Sequence, residues 1–63
     1  MKDIGHIIEN TRKTKKITQE ALALRVEISR SYLTNIENGR RMPALNVLKR
    51  LIGELDLEIN TLF

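Results

Sequence analysis

The sequence predicts an all-α fold made of five short helices. Apolar residues recur at intervals of three and four along the chain, which is the period of an amphipathic helix. No stretch alternates apolar and polar residues with period two, so we predict no strand. The 63 residues suffice for one domain, which we place at residues 1–63 without linker or repeat. A domain this small has a correspondingly small core.

The first helix is predicted over residues 3–15. Ile4, Ile7 and Ile8 lie at i, i+3 and i+4 and form one apolar face. Asp3 stands at the start, and the basic residues gather towards the end, as the helix dipole favours.

The second and third helices are predicted over residues 18–26 and 29–37. Thr18 and Ser29 are residue types that favour the N-cap position, and each precedes a new apolar stripe. Two helices so short and so close in sequence must cross at an angle, and the small side chain of Ala23 lets their backbones approach.

A fourth helix is predicted over residues 44–55 and a fifth over residues 58–62. Asn38-Gly39 supplies a left-handed stop after the third helix, and Pro43 is suited to the start of the next. The apolar face of the fourth helix is predicted to consist of Leu45, Leu48, Leu51, Ile52 and Leu55.

Composition excludes several classes of function. The chain has no cysteine and one histidine, so we expect neither a metal site nor a cofactor. It contains no phosphate-binding loop and no catalytic motif, and its carboxylates look like ordinary solubilising charges, so we expect no enzyme. The 41% of hydrophobic residues are too scattered for a membrane span, and we expect a cytoplasmic protein.

The charge pattern is compatible with nucleic acid. Eleven Lys+Arg against eight Asp+Glu give a net charge of +3. The third helix carries a polar stripe opposite its apolar one, formed by Arg30, Ser31, Thr34 and Asn35. From the residues alone, this stripe is equally well explained as a solvated helix face.

Nearly the whole chain, from Ile4 to Phe63, resembles the DNA-binding domain of lambdoid phage repressors and Cro proteins, the xenobiotic-response-element type of helix-turn-helix regulator. The matching positions are Gly5, Arg12, Thr18-Gln19-Glu20, Leu22-Ala23, Ser29-Arg30-Ser31-Tyr32-Leu33, Ile36-Glu37, Gly39, Pro43, Leu45, Leu48 and Leu62-Phe63. The resemblance implies a compact lambda-repressor-like domain in which residues 18–37 form the helix-turn-helix.

The chain departs from this family at the ends of three helices. Lys16, Glu27 and Asp56 stand where the family usually has glycine. If the backbone keeps a positive φ there, each should cost up to about 1 kcal/mol of stability. Thr11 also replaces a large apolar residue, which reduces the core.

The resemblance implies roles for particular side chains. The expected base contacts are Arg30, Ser31, Thr34 and Asn35, and the expected phosphate contacts are Gln19, Tyr32, Asn38, Arg40 and Arg41. For Tyr32 a packing role is an equal alternative. Arg12 and Glu37 are expected to form a structural ion pair beneath the DNA-facing surface.

The apolar end of the chain suggests self-association. The resemblance implies a dimer that reads a palindromic operator. Its interface is predicted at Leu55, Leu57, Ile59, Leu62 and Phe63, unless these residues simply close the core. The predicted function is transcriptional regulation, most simply repression. The alternative is a protein-interaction module of the same fold, such as an antitoxin that binds a partner protein through this apolar end.

Overall fold

A computed structural model of the protein describes residues 3–58, and this part of the chain is all helical. It contains α1 (Ile4–Thr14), α2 (Gln19–Arg25), α3 (Arg30–Glu37) and α4 (Leu45–Leu55). Each helix lies within its predicted range. The predicted ranges are one or two residues longer because they included the capping residues at the helix ends. The predicted fifth helix, residues 58–62, lies outside the described residues except for Glu58.

The first three helices begin with a side-chain cap, which was predicted for Thr18 and Ser29 and which Asp3 also forms. The side chains of Asp3, Thr18 and Ser29 each accept a hydrogen bond from the backbone N–H three residues further on, at 3.0–3.2 Å. These bonds satisfy donors that the first helical turn leaves free. Helix α4 begins after Ala44 without a side-chain cap.

All four described helices end in the left-handed backbone region. The positive φ expected at the three non-glycine positions is confirmed, at 59° for Lys16, 62° for Glu27 and 56° for Asp56, and Gly39 has a φ of 76°. After each of them, an N–H bonds to the carbonyl five residues earlier at 2.9–3.0 Å. This is the Schellman arrangement, which satisfies carbonyls at a helix end. The three non-glycine residues therefore sit in a strained conformation.

The core draws on every helix. Its fully buried large side chains are Ile8, Leu22, Val26, Leu33, Ile36, Leu51 and Leu55. One predicted core residue is wrong: Leu45 is 68% exposed, and Val47 is buried instead. Leu45 is the first residue of α4, and the buried face of that helix begins only at Val47.

The position of Leu55 also corrects a prediction. Its side chain is only 1% exposed because it fills the core at the last turn of α4, so it is not available to a dimer partner. Leu57 is half-buried and packs against the same core. Ile59, Leu62 and Phe63, the other residues predicted at the dimer interface, lie outside the described residues.

A close approach between α1 and α3 brings the ion-pair partners Arg12 and Glu37 together. A Cβ added to Gly5 would collide with the backbone carbonyl oxygen of Ile36 and lie 3.0 Å from that of Glu37. Only glycine therefore permits this helix packing. The approach sets the distance between Arg12 on α1 and Glu37 on α3.

Candidate nucleic-acid interface

Helix α3 separates a buried face from an open polar one. Leu33, Ile36 and Glu37 are buried against the rest of the domain. The four predicted base-contacting side chains, Arg30, Ser31, Thr34 and Asn35, together line one open concavity on the opposite side. The fold thus brings these groups together on a single surface with hydrogen-bond donors and acceptors.

Beneath this surface, Arg12 and Glu37 form a forked ion pair. Arg12 Nε lies 2.8 Å from Glu37 Oε2, and Arg12 Nη2 lies 3.1 Å from Glu37 Oε1. The side chains are 9% and 1% exposed. Arg12 Nη1 also donates to the carbonyl of Ile17 at 2.9 Å. The hydrogen bond with Glu37 raises the pKa of Arg12, against the burial that lowers it, so the guanidinium stays charged.

Gln19 connects this buried pair to the polar surface. Its Nε2 donates to Glu37 Oε1 at 2.9 Å, and its Oε1 accepts from the hydroxyl of Thr34 at 3.4 Å. Gln19 is half-buried at the first position of α2. The side chain therefore ties α2 to α3 and leaves one amide hydrogen for another partner.

A second arginine–glutamate pair lies at the solvent side. Arg30 Nη1 lies 3.2 Å from Glu20 Oε1, with side chains 63% and 75% exposed. Sequence reasoning missed this partner and treated Glu20 as a solubilising charge. The sequence indicates only that Glu20 and Arg30 lie in the first turns of consecutive helices. No rule of residue spacing predicts a contact between side chains on two different helices.

Tyr32 combines packing with a free hydroxyl proton. Its ring is half-buried against the core, and the guanidinium carbon of Arg41 lies 5.4 Å from the ring centroid. Its hydroxyl oxygen accepts the N–H of Ala44 at 3.0 Å, which holds the start of α4 against α3. The proton of the hydroxyl remains available to an acceptor from outside.

The segment after α3 is ordered by backbone hydrogen bonds. The N–H groups of Arg40 and Arg41 both donate to the carbonyl of Asn35, at 2.9 and 3.2 Å. The side chains of Asn38, Arg40 and Arg41 are exposed at this end of α3. They extend the polar surface beyond the end of α3.

Not every basic residue belongs to this surface. Arg50 Nη1 donates to the carbonyl of Val26 at 3.3 Å and so holds the end of α2. Lys13 lies 3.4 Å from Glu9 on the same helix. Among residues 3–58, no helix is long and apolar enough to cross a membrane, and no cluster of three metal-ligating side chains occurs.

The model of one protein family, described as helix-turn-helix, matches residues 8–62 of the chain. The chain belongs to this family. Its members are of the Cro/C1 type, as the resemblance implied, and are DNA-binding regulators rather than enzymes.

Two curated relatives come from Bacillus phage phi105. The chain is 38% identical over 61 residues to the ImmF control region 10 kDa protein, covering 97% of this chain and 68% of that protein. It is 37% identical over 59 residues to the immunity repressor protein, covering 94% of this chain. The chain spans only 41% of the length of that repressor.

Similar architecture occurs in a solved complex. SinR, the master regulator for biofilm formation, was crystallised in complex with DNA. It superposes with a TM-score of 0.84 at 31% identity, over 95% of this chain and 100% of that one. The four-helix arrangement is therefore that of a known helix-turn-helix domain.

Proposed function

We propose that the protein is a sequence-specific transcriptional regulator, acting as a repressor on operator DNA in the cytoplasm. The observation that carries the proposal is the polar stripe of α3, which is held outward by the buried pair of Arg12 and Glu37. Helix α3 fits the major groove, which is about 12 Å wide. In helix-turn-helix proteins, the second helix reads base edges with residues near its N-terminus.

The four stripe residues would form different kinds of hydrogen bond with the bases. The guanidinium of Arg30 can bridge guanine O6 and N7, and the amide of Asn35 can bridge adenine N6 and N7. Ser31 and Thr34 add single hydrogen bonds next to them. Arg30 and Asn35 should therefore contribute most of the sequence preference.

Phosphate contacts would fix the register of α3 in the groove. Gln19 keeps one amide hydrogen for a phosphate oxygen, and Tyr32 keeps its hydroxyl proton. Asn38, Arg40 and Arg41 are exposed just after the C-terminal end of α3. Donors for phosphate oxygens are therefore available from α2, from α3 and from the segment that follows α3.

We further propose that two copies bind a palindromic operator. Two recognition helices about 34 Å apart would read half-sites one helical turn apart. Since Leu55 belongs to the core, the dimer contact is assigned to Ile59, Leu62 and Phe63, with the exposed part of Leu57. Sedimentation velocity on a palindromic duplex should give two chains per duplex, and one chain per duplex would contradict this assembly.

Selection of bound sites from a random duplex library tests the function directly. We expect an enriched, palindromic site whose affinity falls steeply with salt. Arg30→Ala should weaken binding and relax the preference at one position of each half-site. Arg25→Ala removes the same charge from the exposed last turn of α2 and should leave the preference unchanged. A library without enrichment would contradict specific DNA binding.

The alternative of a protein-interaction module makes a different prediction. Capture of a partner protein would survive Arg30→Ala and Asn35→Ala and would be lost in Phe63→Ala. A regulator would lose its base preference in Arg30→Ala and Asn35→Ala, because its base contacts lie on α3. Phe63→Ala would weaken its dimer and leave the preferred bases unchanged. The same three variants therefore distinguish the two functions.

A further inference from the structure

The hydrogen bonds beneath α3 have a fixed direction. Glu37 is a carboxylate that receives Arg12 Nε and Nη2 on its two oxygens, at 2.8 and 3.1 Å. An ionised carboxylate only accepts hydrogen bonds. Any further group that bonds to it must therefore donate.

That requirement sets the orientation of the Gln19 amide. The atom that lies 2.9 Å from Glu37 Oε1 must be the amide nitrogen, since the amide oxygen would repel the carboxylate. The amide oxygen of Gln19 then faces the opposite way, towards Thr34, at 3.4 Å from its hydroxyl oxygen. Because an amide oxygen has no proton, the hydroxyl of Thr34 must donate in this contact.

The proton of Thr34 is thus directed towards Gln19, so to a ligand in the concavity that Thr34 lines, its oxygen can offer only lone pairs. A threonine without such a partner rotates its hydroxyl and either donates or accepts. Tyr32 on the same helix has the opposite polarity, because its oxygen accepts from Ala44 and its proton is free. Two hydroxyls of α3 therefore present different chemistry to a ligand.

We propose that Thr34 is an acceptor-only specificity residue that selects a base carrying an exocyclic amine. In the major groove, those bases are adenine, through N6, and cytosine, through N4. Guanine O6 and N7 and thymine O4 are acceptors, so neither base gives the Thr34 oxygen a donor. Gln19 and the buried residues Arg12 and Glu37 act as positioning residues for this selection, because they fix the direction of the Thr34 hydroxyl. The inference rests on the proposed function, since it concerns the same DNA surface.

Site selection with matched variants tests the inference. We expect one half-site position that prefers adenine or cytosine. In Thr34→Val, which replaces the hydroxyl with a methyl group of similar shape, that preference should fall roughly 2- to 10-fold. In Gln19→Met the hydroxyl is released, so guanine and thymine should become acceptable at that position. Thr14→Val makes the same substitution on an exposed position of α1 and should change no preference.

A second measurement uses the wild-type protein, so it does not depend on the stability of any variant. The selected adenine is replaced by purine, or the selected cytosine by 2-pyrimidinone, which removes only the exocyclic amine. Wild-type affinity should fall by the same roughly 2- to 10-fold, and Thr34→Val should lose no further affinity.

Three results would overturn the inference while leaving the proposed function intact. They are an enriched site in which the Thr34→Val-sensitive position is guanine or thymine, a Gln19→Met profile identical to wild type, and an unchanged affinity after removal of the amine. If the wild-type protein enriches no site, the proposed function fails and the inference fails with it.

Discussion

The two arginine–glutamate pairs that join helices of this domain have the same charges and very different surroundings. Arg12 and Glu37 are 9% and 1% exposed, and two nitrogens face two oxygens in a fork. Arg30 and Glu20 are 63% and 75% exposed and share one contact of 3.2 Å. The first pair is enclosed by packed helices, and the second is surrounded by solvent.

Because of this difference in burial, the two pairs contribute differently to stability. A buried pair is costly to break because one partner is left charged without compensation, whereas an exposed pair is worth about 0–1 kcal/mol. The inner pair can therefore hold α3 in one position. The outer pair is weak enough for Arg30 to exchange the carboxylate for a base edge, as the proposed function requires.

The largest effect should come from breaking the inner pair. Glu37→Gln leaves the buried guanidinium of Arg12 without its anion and should lower the free energy of unfolding by about 3–5 kcal/mol. Urea unfolding followed by circular dichroism measures the loss. A loss below about 1 kcal/mol would mean that the inner pair behaves like the outer one.

The helix contact that brings the inner pair together can be tested without changing a charge. Gly5→Ala should destabilise the fold by about 1–3 kcal/mol, because the new Cβ meets backbone at Ile36 that cannot move aside. Gly53→Ala is the matched control, since a Cβ there meets nothing within 4 Å. It should stabilise α4 by roughly 0.5–1 kcal/mol in thermal unfolding. Equal effects of the two substitutions would contradict the close approach of α1 and α3.

The turn between α2 and α3 positions the outer pair and carries strain. Glu27 has a φ of 62°, so Glu27→Gly should stabilise the protein by up to about 1 kcal/mol. Glu54→Gly, in the last turn of α4, makes the same substitution in ordinary helical backbone and should destabilise by up to about 1 kcal/mol. Thermal melting of both variants gives the comparison. A loss of stability in Glu27→Gly would show that this turn is built differently.

The smallest effect should come from the outer pair. Glu20→Gln removes one exposed charge and should change the free energy of unfolding by less than about 1 kcal/mol. Affinity for duplex DNA, measured by fluorescence anisotropy at low salt, should rise modestly, because the negative charge beside Arg30 is gone. A destabilisation as large as that of Glu37→Gln would remove the distinction between the two pairs.

Local patterns predicted much of this fold because their causes are local. The capping side chains at Thr18 and Ser29 act within one turn, and apolar spacing marks a buried face without knowledge of what covers it. The left-handed ends at Lys16, Glu27 and Asp56 were expected only from the resemblance, since Lys and Glu rarely adopt a positive φ and Asp does so only somewhat more often. Leu45 was misassigned because helical spacing gives the direction of a side chain but not where the neighbouring helix ends.

The sequence by itself determined the class of this protein, a member of a helix-turn-helix family: it indicated the four described helices, the caps at Thr18 and Ser29, and the polar stripe on α3. Apart from the pair of Arg12 and Glu37, which the resemblance implied, only the tertiary structure decided which polar groups meet. The connection from Arg12 through Glu37 and Gln19 to Thr34 joins three helices, and the partnership of Glu20 with Arg30 joins two. The physical reason is range: caps and periodicity act over three or four residues, whereas these hydrogen bonds depend on how close the helices pack.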